Sequence, residues 1–229
     1  MANPQHVEIV KQGVTAIAVW RAAHPQARLD LEKADLRAAN LHGANLQSAR
    51  LHEAQLQDAN LQEANLQHAG LRGTQLLRAN LTQAQLHHAR LVKTNLEQAQ
   101  LQRACLHRAH LHGAYLQDAN LREADLQEAY LLWAYLVGAC LVGARLERAD
   151  LQWANLQNAD LGNAHVQDAN LQEIVLGNTM FRDTDLSRAK GLDTCRHLSP
   201  SRLDTATVLR SGALPEVFIL GCGQPVSDV

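Results

Sequence analysis

A leucine returns every fifth residue from Leu31 to Leu186, and this period excludes both standard secondary structures. Of the thirty-two positions in the series, only Val166 and Phe181 depart from Leu. On an α-helix each step of five advances about 140° and scatters the leucines around the circumference. In a straight strand the odd spacing sends successive leucines to opposite faces, so neither face collects a continuous apolar set. Ala stands two residues before the centre in 26 of 31 cases between positions 34 and 184, the exceptions being Thr74, Thr94, Ile174, Thr179 and Thr184. The residue just before the centre is often Asn or Asp, as at Asn40, Asn60, Asn80, Asp125 and Asp150. High Ala and Leu content favours helix by propensity, but the period overrules that weak prior. A chain that turns a corner after every five residues puts each Leu inside, the small residue beside it, and the other three outside.

Composition narrows the function. The 229 residues carry 21 Lys and Arg against 23 Asp and Glu, a formal net charge of -2, without the basic excess that displaces counterions from nucleic-acid phosphates. Aromatic residues make up 3%, so a core built on rings is not expected. No run approaches the roughly 18 to 20 apolar residues of a membrane span, and the N-terminus has no signal-peptide pattern, which predicts a soluble, unexported, cytoplasmic protein. Cys105, Cys140, Cys195 and Cys222 are too far apart for a Cys-x-x-Cys pair and are expected to be reduced thiols.

The unit Ala59-Asn60-Leu61-Gln62-Glu63 and its repetitions resemble the pentapeptide-repeat family, and a bacterial protein is expected. The resemblance implies an all-β solenoid, a right-handed quadrilateral β-helix with four units per coil. Thirty-two units then make about eight coils, and strand-like spacing gives a rod on the order of 40 Å long. The ends need caps to cover the last layers and block edge-to-edge growth. Three regions are expected: an N-terminal capping helix over 1–28, the repeat β-helix over 29–191, and a capping extension over 192–229. Asn3-Pro4 reads as an N-cap and first-turn proline, and Val7, Val10, Val14, Ile17 and Trp20 follow at helical spacing, predicting one amphipathic helix of about 20 residues. Beyond Gly191, one helix is predicted near Ser201 to Arg210 and another from about Pro215. Leu214 to Phe218 and Gly221-Cys222-Gly223 resemble a short extension that follows such arrays in some multidomain bacterial proteins.

No enzyme is expected, because a filled leucine rod leaves no interior pocket and the chain has neither a Gly-x-Ser-x-Gly elbow nor a phosphate-cradling glycine loop. No cofactor is expected either. The coil period of twenty stacks His68 on His88 and His87 on His107, candidates for a transition-metal or pH-sensitive face. Gln47, Gln67 and Gln127 occupy equivalent places, which favours a merely polar column and no metal. The outward residues Tyr130, Leu132, Trp133, Tyr135, Val137 and Val142 form an apolar band where polar residues otherwise stand. Adding twenty places Trp153 beside Trp133 and Tyr115 beside Tyr135, and exposed clusters of this kind mark protein contacts.

The leading expectation is a non-enzymatic scaffold binding a protein partner or itself through this band, with no direct nucleic-acid or membrane contact. The alternative implied by the family is a DNA-mimicking rod that binds DNA gyrase or another type II topoisomerase and protects it from quinolone-like poisons. A DNA mimic should be densely acidic, yet residues 30–109 carry 7 acidic and 9 basic residues and residues 110–190 carry 11 and 6. The array also lacks the loop insertions of the plasmid-borne resistance members.

Overall fold

Residues twenty apart pair as parallel β-bridges, from Asp30↔Arg50 through Asn60↔Asn80 and Tyr115↔Tyr135 to Asn170↔Lys190, so four units close each coil of a β-helix. The computed structural model describes residues 2–224. One unit shows how the backbone groups are satisfied. The N–H of Leu61 donates to Asn80 in the next coil at 2.7 Å and that of Glu63 to Thr82 at 2.9 Å, while Asn60 donates back to Ala39 at 2.9 Å. Ala64 closes the corner by donating to the Leu61 carbonyl at 3.0 Å.

The remaining N–H, on the residue after the centre, explains the Asn and Asp preference. Asn60 Oδ1 accepts from Gln62 N–H at 3.2 Å, and every Asn or Asp at this place in the array makes the same local bond. This is an Asx-type turn, which offers the chain its own acceptor at each corner. The next residue then takes a left-handed conformation, with φ 58° at Glu63 and 56° at Trp153. The leucine and alanine columns are buried along the rod. The threonines that replace alanine are satisfied by carbonyls of the preceding coil: Thr74 donates to Leu51 at 2.7 Å, Thr94 to Leu71 at 2.6 Å, and Thr179 and Thr184 to Leu156 and Leu161 at 2.8 Å.

The N-terminus holds two helices where one was predicted: α1, Pro4–Lys11, and α2, Val14–Ala23. Gly13, at φ 96°, breaks the run and lets both bury a residue on the first coil, Val10 and Ile17. Polar side chains satisfy the open edge. Arg21 donates to the carbonyls of Ala27, Asn45 and Gln47, and Asp30 N–H donates to His6 Nδ1 at 2.9 Å. Burial holds the His6 imidazole below its ordinary value; Asp30 opposes this, and His24 and Arg21 reinforce it. A depressed histidine pKa contributes stability at neutral pH that is lost as pH falls from about 6.5 through the lower folded value. Hydrogen exchange of α1, corrected for its intrinsic rate, is therefore expected to speed up between about pH 7 and pH 5. Constant protection across that range would contradict this role for His6.

At the other end the stack continues past the last regular unit. β1, Val175–Leu176, pairs with β3, Arg196–His197, and β2, Met180–Phe181, pairs with β4, Arg202–Leu203. The partners are now 21 and 22 residues apart, so the coil widens where bulkier residues enter. The first part of the extension thus adds a partial ninth coil, and residues 225–229 lie outside the described residues. Gly191 opens this coil at φ 77°, and a Cβ there would meet the Gln172 backbone at 2.8 Å. Helix α3, Thr205–Ser211, starts later than predicted because Ser201 to Leu203 enter the strand turn and Asp204 caps the helix by accepting from Thr207 N–H. It closes the edge with side chains: Asp183 N–H donates to Asp204, Thr184 N–H to Thr207 Oγ1 and Leu186 N–H to Ser211 Oγ, while Thr207 Oγ1 donates to the Phe181 carbonyl. Helix α4, Glu216–Gly221, then sets Phe218 edge-on against Phe181, at 5.9 Å between centroids.

All four cysteines are free thiols. Burial pushes Cys195 and Cys222 up to about 12. Since the thiolate is the reactive form, both are expected to resist a thiol reagent at about pH 8 in the native protein and to react on unfolding. Prompt native labelling of Cys222 would show that the C-terminal cap does not close as described.

Candidate interaction surface

The four-sided coil converts positions along the chain into places on the rod. Tyr130 and Leu132 flank buried Leu131 on one side, Trp133 stands at the corner, and Tyr135 and Val137 flank Leu136 on the next side. Trp133 is 52% exposed, Tyr130 46%, Tyr135 44%, Trp153 40% and Tyr115 39%, whereas Leu132, Val137 and Val142 are half-buried. Val142 lies beyond the following corner, so the band wraps around three sides. Its rings stack between coils: Trp133 on Trp153 at 5.0 Å and 14°, and Tyr115 on Tyr135 at 5.2 Å and 8°. A third stack, at the same twenty-residue spacing, sets His110 on Tyr130 at 4.9 Å.

Both tryptophans occupy the left-handed corner, where a bulky side chain is a conformational outlier and glycine or a polar residue stands in most other units. The backbone therefore does not select them. Ring stacking offsets part of the strain, roughly 0.5 to 1.5 kcal/mol for an aromatic pair.

The histidines come together on another corner. His68 stacks on His88 at 5.1 Å, but the expected stack of His87 on His107 does not form: His107 meets His88 edge-on at 6.3 Å, and His87 turns to Cys105. Cys105 Sγ lies 2.9 Å from His87 Nε2. Burial lowers the pKa of His87, with repulsion from His107 adding to it, and raises that of the Cys105 thiol, which fits an S–H···N contact between neutral groups. His88 is lowered by burial first, then by His68 and Arg108. Among the described residues no three His, Cys, Asp or Glu side chains form a group that could hold a metal ion.

The pentapeptide-repeat family model matches residues 27–62, 59–98, 79–118, 104–143, 114–152 and 159–190. The chain belongs to the pentapeptide-repeat family. Its fold is the right-handed quadrilateral β-helix of that family, with about eight regular coils. Among solved structures, it resembles trypsin-treated QnrB1, a plasmid-mediated fluoroquinolone resistance protein, at 15% identity and TM-score 0.65 over 76% of this chain and 86% of that one. HetL, a pentapeptide-repeat protein involved in heterocyst differentiation regulation in the cyanobacterium Nostoc sp. strain PCC 7120, is 31% identical over 83% of this chain and 94% of its own, with TM-score 0.41. No curated protein matches the chain.

Pentapeptide-repeat corners also pair charges between coils. Arg78 bonds Asp58, Arg103 bonds Glu123, Arg108 bonds Glu128 and Arg188 bonds Asp168, each at 2.7 Å. Such exposed pairs contribute little to stability, but they neutralise the corners where they stand. No described helix is long and apolar enough to cross a membrane.

Proposed function

We propose that this pentapeptide-repeat protein is a non-enzymatic, cytoplasmic interaction scaffold that engages a protein partner or a second copy of itself through the band around Trp133 and Trp153. The observation that carries this reading is the pair of half-exposed indoles held at left-handed corners beside Tyr130 and Tyr135. Aromatic side chains presented on a rigid surface lose little entropy on binding and dominate interface energetics. A core filled by leucine and alanine supports the non-enzymatic part of the reading, because it leaves no place for a base and a nucleophile to converge. The test is capture of bound protein by the wild-type chain and by the Trp133→Ser, Trp153→Ser double variant.

Binding to a type II topoisomerase is the second reading. On its side is the rod itself, a fold shared with a fluoroquinolone resistance protein. Against it stand the neutralised corners and the basic balance of residues 30–109. Gyrase supercoiling titrated with the protein, with and without a quinolone, decides it. Inhibition or protection at low micromolar protein would promote this reading over the first.

A further inference from the structure

Gly70 is the one glycine that stands immediately before a centre in the thirty-two units. Its backbone has no left-handed conformation that would require glycine. The missing side chain instead leaves room for the His52 ring on the outside of the rod, between Arg50 one coil below and Arg90 one coil above. A groove of about 370 Å³ runs there, lined by Arg28, Arg50 and Arg90 and by the imidazoles of His52, His68, His88 and His110.

Among the described residues no Asp or Glu side chain lines this groove. Arg50 is shared with Asp30 at 3.5 Å and Glu32 at 3.3 Å. Arg28 and Arg90 have no ion pair or side-chain hydrogen bond among the described residues. The His52 ring lies over Gly70, so close that a Cβ there would come within 2.6 Å of it, and its Nδ1 is buried without a partner. Space, not a bond at that nitrogen, holds the ring in place.

We infer that this groove binds a small polyanion of the condensed-phosphate class, gripped by Arg90 at its upper end and Arg28 at its lower end, with Arg50 between them. Guanidinium forks match phosphate oxygens and bind them more strongly than neutral donors do. Arg50 and Arg90 are two coils apart, about 10 Å along the rod. That separation suits a chain of linked phosphates better than a single anion. The lining is charged and imidazole-rich with little apolar wall, so it favours a ligand whose recognised part is the phosphate chain.

Titration calorimetry of the full chain at low ionic strength tests this, with sodium tripolyphosphate, ATP and sulfate as probes. Saturable one-to-one binding of tripolyphosphate is expected, with sulfate much weaker. Equal affinity for ATP assigns the site to the phosphate chain alone, and tighter ATP binding assigns it to a nucleotide. Arg90→Gln should weaken binding by about tenfold or more. Gly70→Gln should abolish it with no change in charge, since the new side chain would fill the groove and push the His52 ring aside, while the backbone at this place needs no glycine. Circular dichroism melting of both variants verifies folding. No saturable heat from the folded wild type, sulfate binding as tight as tripolyphosphate, or unchanged affinity in both folded variants would overturn the inference.

Discussion

Replacing Leu106 by Ala is expected to destabilise the rod by about 2 to 5 kcal/mol, the cost of lost burial plus the cavity left in a close-packed column. Leu106 is 1% exposed, and its column continues to Leu86 and Leu126 in the neighbouring coils. Because each coil touches only its neighbours, the lesion removes contacts on both sides, and the small Ala104 and Ala109 beside it cannot fill the space. Loss of the exposed Arg103–Glu123 pair, which joins this coil to the next, by Arg103→Ala, should cost far less. Denaturant unfolding of the two variants separates the claims. A Leu106→Ala cost below that of Arg103→Ala would mean that the leucine columns do not hold the structure together.

The Trp133→Ser, Trp153→Ser double variant should behave in the opposite way, with little change in stability and a large loss of binding. Removing the stacked pair forfeits roughly 0.5 to 1.5 kcal/mol, but it also relieves two bulky residues of the left-handed corner. The net shift in stability should stay within about 1 kcal/mol. If the band is an interface, truncating its central aromatics should cost about 2 kcal/mol or more, roughly thirty-fold in affinity. A double variant that unfolds readily yet binds as before would recast the ladder as a structural brace.

The regular coils were legible because a five-residue period admits so few backbones. Once the coil period was twenty, Trp133 with Trp153 and Tyr115 with Tyr135 followed directly from residue numbers. His110 on Tyr130 obeys the same spacing, but it pairs unlike rings, so a search for repeated aromatic residues does not find it. The reason for Asn and Asp before the centre was not legible, since the acceptor role of Asn60 depends on the Gln62 N–H having no partner in either neighbouring coil. The ends were read least well. Gly13 splits a run that hydrophobic spacing alone presents as one helix. Near Ser201, a local helix signal yields to the coil edge, where β4 pairs with β2 before α3 begins.

The most direct test of the scaffold is quantitative mass spectrometry of the proteins captured by a tagged chain in its own cells, wild type against Trp133→Ser, Trp153→Ser, with an untagged copy co-expressed and scored alongside the rest. The account predicts that at least one specific protein, the untagged copy included, falls about tenfold or more in the folded variant. Identical captured proteins in identical amounts would contradict it.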